Sequence, residues 1–96
     1  MTAWQRIESG DLTQREVAAL RAVAAEEPVV PCRIRHNVEW STLRDLALAG
    51  LIAMCNNGSG EVCNPLDIEQ AVTGGWLGVH LEITEKTRPV LNRYER

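Results

Sequence analysis

The 96-residue chain contains no phenylalanine, and its aromatic side chains are three tryptophans and one tyrosine. A core assembled from it must therefore be aliphatic, drawn from Leu, Ile, Val and Ala. Long apolar runs are missing as well: none approaches the ~20 residues that a membrane-spanning helix requires. No secretory leader pattern opens the sequence, so a cytoplasmic setting is the expectation. Cysteine is scarce, at Cys32, Cys55 and Cys63. An odd number cannot all pair within one chain, which excludes a complete disulfide framework and suits a reducing compartment. A phosphate-cradling loop is absent too, because "NNGSG" (56–60) lacks the Lys and the helix start that such a loop feeds. His36 and His80 lie on unrelated segments with no nucleophile motif beside either, and Glu26-Glu27 reads as a helix end. With no convergent set of reactive groups, the expectation is a protein that is not an enzyme and carries no cofactor.

Positive charge is the most uneven absence. Residues 45–85 hold no Lys or Arg, against Asp45, Glu61, Asp67, Glu69, Glu82 and Glu85. Residues 1–44 balance six Arg against six acids, and residues 86–96 set Lys86, Arg88, Arg93 and Arg96 against Glu95, for a net charge of −3. A nucleic-acid binder ordinarily shows a basic stripe, and the middle of this chain shows the reverse.

What is present describes one ordinary globular domain, 45% hydrophobic and 24% charged. Residues 1–10 form an N-terminal arm or short helix, with Trp4 and Ile7 on one side and Gly10 as its stop. "LTQREVAALRAVAAEE" is the strongest helix. Thr13 and Glu16 make a capping box, Leu12 and Val17 occupy the staple positions, and Val17, Leu20, Val23 and Ala24 share a face. Pro28 and Pro31 end it and leave "PVVP" extended. "CRIRHNV" is ambiguous. "STLRDLALAGLI" is a helix capped by Ser41 or Thr42, with Leu43, Leu46, Ala47 and Leu51 inward and Gly50 at its end. "LIAMC" then reads as a strand, with Asn57-Gly58 the favoured hairpin pair. "NPLDIEQAVTGG" is a short helix with Asn64 as cap and Pro65 at its first position. "WLGVHLEIT" alternates with Leu77, Val79, Leu81 and Ile83 on one strand face. Thr84 is placed to cap a last helix that begins near Arg88. The order is that of an α+β protein with a small antiparallel sheet.

"TLRDLALAGLI", "LEITEKTRPVL" and "LTQREVAALRAVA" together resemble the winged helix-turn-helix family, in particular small MarR-like bacterial or phage regulators. The first is similar to the third helix running into a wing strand, the second to the returning wing strand and following helix, and the third to the opening core helix. The likeness spans about two-thirds of the chain and implies three to five helices with a wing. Some features depart from that pattern. Pro31 to Glu39 leaves room only for an abbreviated second helix, Thr87 stands where relatives commonly have Gly, and residues 56–78 make a long, helix-containing, acidic wing insertion.

The resemblance implies a DNA-binding transcriptional regulator, possible as a homodimer through its terminal helices, with modest and salt-sensitive affinity for double-stranded DNA. Arg33, Arg35 and His36 would form a small basic patch. Ser41, Thr42 and Arg44 would stand at the N-terminus of the reading helix, where phosphate and base contacts are made. Asp45 and Leu48 on the same outer face oppose that use. An alternative from another class is a protein-interaction module of the inhibitor or adaptor kind. Glu61, Asp67 and Glu69 would steer a basic partner and Trp76 would anchor it. A metal site from Cys32, Cys55, Cys63 and either His36 or His80 is disfavoured, because Cys55 and Cys63 are eight apart and no close-spaced pair exists. A two-residue loop at Asn57-Gly58 would also set Cys55 and Cys63 on opposite faces, against a bridge between them.

Overall fold

A computed structural model describes residues 2–94. The chain folds as an α+β structure, with six α-helices and a two-stranded antiparallel sheet among the described residues. Helix α1 (Ala3–Glu8) opens with a capping box in which Thr2 and Gln5 satisfy each other's backbone amides. Six residues would not hold a helix alone, and burial of Ile7 against the later helices supplies the remainder. Gly10 ends the segment at φ 95°, a conformation a side chain would resist.

Helix α2 (Gln14–Glu26) has the expected capping box, Thr13 with Glu16, and buries Val17, Leu20 and Val23. Beyond Pro28 the chain is extended, and Val29 forms a bridge to Leu81. The ambiguous "CRIRHNV" resolves into one helical turn, α3 (Pro31–Ile34), which starts on Pro31 and buries Ile34. Helix α4 (Trp40–Leu48) follows, with Leu43, Leu46, Ala47 and Leu51 all buried as their spacing requires. Its cap differs from the expected one. Glu39 is the N-cap residue and makes no side-chain cap bond, so Ser41 and Thr42 lie inside the first turn.

Strand β1 (Ile52–Asn56) pairs with β2 (Val79–Ile83) in the register Ile52↔Ile83, Met54↔Leu81 and Asn56↔Val79. Ile52, Met54, Val79, Leu81 and the half-buried Ile83 face the core, with Asn56 at its open end, and the intervening pairs Ala53↔Glu82 and Cys55↔His80 share the outer face. Val29 adds to the free side of β2 and Val62 to the free side of β1, so short bridges cover both edges. Leu77, expected on the core face, lies outside the strand and is open to solvent. The turn after β1 is also wider than a two-residue Asn57-Gly58 loop. The Asn56 side chain accepts from the Gly58 and Ser59 amides, and Gly60, at φ 74°, takes the left-handed position.

Residues 56–78, expected as a long wing, do not project freely from the sheet. After a 3-10 turn (Pro65–Asp67) capped by Asn64, helix α5 (Ile68–Thr73) folds back against α3 and α4. Its Ile68, Ala71 and Val72 repeat at helical spacing, and burying that stripe is what returns it to the core. Helix α6 (Thr87–Tyr94) closes the structure. Thr84 does not cap it: its hydroxyl donates to the carbonyl of Gly50, and the fully buried Thr87 hydroxyl donates to that of Leu51. At the other end the Tyr94 hydroxyl donates to Gly10 and accepts from the Leu12 amide, clasping α6 to the α1–α2 turn. No helix among the described residues is long and apolar enough to cross a membrane.

Candidate interaction surfaces

The candidate DNA-contacting residues fall into separate places. Arg33, Arg35 and His36 are exposed on and just after α3. Arg35 and His36 share a shallow groove with Trp40, Ser41 and the α5 residues Val72 and Thr73, while Arg33 borders a different depression with Glu26 and Pro28. Ser41 is half-buried and Thr42 is buried. Thr42, 8% exposed in the first turn of α4, has little surface to offer a phosphate. Arg44 is held back by its own neighbours. Its guanidinium lies 5.2 Å from the centroid of the Trp40 ring and 3.6 Å from the Asp45 carboxylate. Part of its charge is thus balanced before any ligand arrives.

Helix α4 is flanked by α1 on one side and α5 on another, and packs on β1 as well. As a result no residue from Trp40 to Leu48 is fully exposed; each is buried or half-buried. A helix that enters a DNA groove must offer an unobstructed outer face of several residues. Here α5 occupies part of that approach.

The segment 56–78 carries a different surface. Among the described residues, the large hydrophobic side chains left open are Val62 (67% exposed), Leu66 (61%), Trp76 (36%) and Leu77 (70%). All four belong to the segment 56–78. Glu61 and Glu69 are exposed beside them in sequence and Asp67 is half-buried, with no Lys or Arg in the segment. Trp76 is the predicted anchor, and its backbone amide is bonded to Ala71 at the end of α5. Residue type alone points to Trp76, since tryptophan is an efficient interface anchor. Leu77 was assigned inward by strict alternation, and Val62 and Leu66 carried no periodic signal.

The outer face of the sheet brings together a group that sequence spacing separated. Cys55, His80 and Glu82 each offer one ligand-type atom within 4.8 Å of the other two. Cys55 Sγ lies 3.6 Å from Glu82 Oε1, and His80 Nε2 lies 3.6 Å from Glu82 Oε2. Burial pushes the Cys55 thiol above its ordinary pKa, and the neighbouring Glu82 carboxylate raises it further. His80 faces away from the core, as its place in the alternation implied, and its Nδ1 meets Asn57 Oδ1 at 2.5 Å. Cys32 and His36 lie elsewhere, on α3 and after it, and the three cysteines are free thiols. The expected absence of a Cys55–Cys63 bridge has a structural reason. Cys55 is opposite Val62 across the turn, so Cys63 sits opposite Met54 on the core-facing side.

Comparisons with protein-family models, with curated proteins and with solved structures each return no match.

Proposed function

We propose that this chain is a protein-interaction module of winged-helix type, which binds a basic protein partner through the insertion 56–78. One observation carries the reading: the exposed large hydrophobics of the described residues all fall in the one segment that is acidic and free of cations. Exposed apolar side chains scattered over a surface need no explanation, whereas their confinement to one segment of the chain suits a docking surface. In this reading Trp76 and Leu77 supply the desolvated contacts, and Glu61, Asp67 and Glu69 set the encounter rate and repel acidic partners. The helix pair α3–α4 and the β1–β2 strands serve as the scaffold that holds the insertion.

A second reading, a DNA-binding transcriptional regulator, is favoured by the exposure of Arg33, Arg35 and His36 immediately before α4. The cation count there is small, so duplex affinity would be modest and would fall steeply with salt.

The test compares surface variants rather than capture alone. A basic protein retained by the immobilised chain is purified and its affinity measured against wild type, Trp76→Ala, Leu77→Ser, and the double variant Glu61→Lys/Glu69→Lys. The anchor variants are expected to cost about 2 kcal/mol or more, roughly thirtyfold in Kd. The charge-reversal variant should mainly slow association and remove its salt dependence. Polarisation with random duplex DNA at low salt runs in parallel. Duplex binding that Arg35→Glu abolishes and the insertion variants leave intact would replace the proposal with the DNA reading.

A further inference from the structure

We propose that Cys55, His80 and Glu82 form a binding site for a divalent transition-metal ion of the zinc type, on the outer face of the β1–β2 sheet. Cys55 and His80 are direct cross-strand partners, and Glu82 lies two residues along β2, hence on the same face. A thiolate, an imidazole and a carboxylate are the donor set that zinc accepts, and three protein ligands leave a fourth position for water. Metal–ligand bonds of ~2.0–2.3 Å in a tetrahedral shell put neighbouring donors about 3.3–3.8 Å apart. Cys55 Sγ lies 3.6 Å from Glu82 Oε1 and His80 Nε2 lies 3.6 Å from Glu82 Oε2, so the carboxylate turns one oxygen toward each of the other two donors, and one ligand atom from each of the three residues lies within 4.8 Å of the others.

A second feature is independent of the ligands' proximity. Metal-binding imidazoles ordinarily donate their remote N–H to an oxygen, which fixes the tautomer and aims the ring. Asn57 is built to do this. Its Nδ2 donates to the carbonyl of Leu77 at 3.4 Å, which turns Oδ1 toward His80 Nδ1 at 2.5 Å. A carbonyl oxygen can only accept, so the Asn57 contact suits Nδ1 as the donor and sets Nε2 on the Glu82 side as the nitrogen placed to meet an ion. The depression in front of His80 and Glu82 is also bordered by Glu27, Asn57 and Arg88. Glu27 is committed to the Ile83 amide. With Cys55 ionised, the three ligands carry two negative charges toward a dication. Binding forms the metal–sulfur bond as the thiol releases its proton to solvent, with no change of oxidation state.

The experiment is a Zn²⁺ titration of the reduced protein in competition with a chromophoric chelator, repeated with Co²⁺ to read the thiolate-to-metal charge-transfer band. One ion per chain is expected, with a cobalt spectrum showing sulfur ligation and proton uptake by the buffer. Cys55→Ser and His80→Gln should weaken binding by at least about tenfold, and Asn57→Ala by on the order of 10–100-fold through loss of the ring's orientation. Cys32→Ser and Cys63→Ser should bind as wild type does. Circular dichroism of each variant separates loss of fold from loss of ligand, and Asn57 is exposed, so its variant keeps the test open if Cys55→Ser fails to fold. No saturable binding by wild type, a cobalt complex without the sulfur band, or affinity that survives Cys55→Ser would overturn the proposal.

Discussion

Leu46 sits at the centre of α4 with none of its side chain reaching solvent. Helix α4 is enclosed by α1, α2, α5 and β1, so the space vacated by Leu46→Ala has walls on every side and little freedom to collapse. Removing a buried leucine to alanine costs ~2.7–5.0 kcal/mol, and the upper part of that range applies where relaxation is restricted. We therefore expect a loss of about 3–4.5 kcal/mol. A chain of 96 residues has a total stability of roughly 5–14 kcal/mol at ~0.05–0.15 kcal/mol per residue, so the variant forfeits a large share of it. The midpoint of thermal unfolding should fall by at least about 12 °C, taking the smaller of the usual conversions for a domain of this size. Leu48→Ala on the same helix is the internal control, because Leu48 is only half-buried and should cost under about 1.5 kcal/mol. Urea unfolding followed by tryptophan fluorescence reads both. Equal costs at the two positions, or a loss below 1.5 kcal/mol at Leu46, would refute the enclosed placement of α4 and restore it as a helix with a free face.

Three further outcomes follow from particular contacts. Glu16 is buried, which by itself would push its carboxyl up; the Arg6 guanidinium at 2.6 and 2.9 Å and the Thr13 amide hold it below the ordinary carboxylate range. Its folded-state pKa is therefore the lower one, so its contribution is present above the unfolded value of ~4.3 and is lost as pH falls through the folded value. Glu16→Gln should destabilise at neutral pH and flatten the acid limb, with the two stability profiles converging at low pH; parallel profiles would show that Glu16 carries no such linkage. Tyr94→Phe removes the hydroxyl that serves both Gly10 and Leu12, and should cost about 1–2 kcal/mol while speeding hydrogen exchange at the Leu12 amide. Leu77→Ser, at an open position, should leave the unfolding free energy from urea titration within about 0.5 kcal/mol of wild type, which separates its expected effect on partner binding from any effect on folding.

Local chemistry determined much of this protein directly. Thr13 and Glu16 announced the start of α2, Pro28 and Pro31 its end, and the leucine spacing of "TLRDLALAGLI" the buried face of α4. Those features depend on residues within a turn or two of each other, so a sequence read in order contains them. The cap of α4 and the wide turn after β1 were less legible, because several polar residues in each segment could satisfy the same backbone groups. The candidate sites were hidden for a different reason. Thr42 and Arg44 looked available on a helix considered alone, and only the return of α5 and the stacking of Arg44 on Trp40 limit them. Cys55 and His80 stand 25 positions apart, and Glu82 is one acid among several in its stretch of sequence. Their meeting follows from the β1–β2 register, which is set by burying Ile52, Met54, Val79 and Leu81 together. Periodicity thus told which side chains must leave water, while the pairing of strands decided which polar groups were left facing one another on the other side.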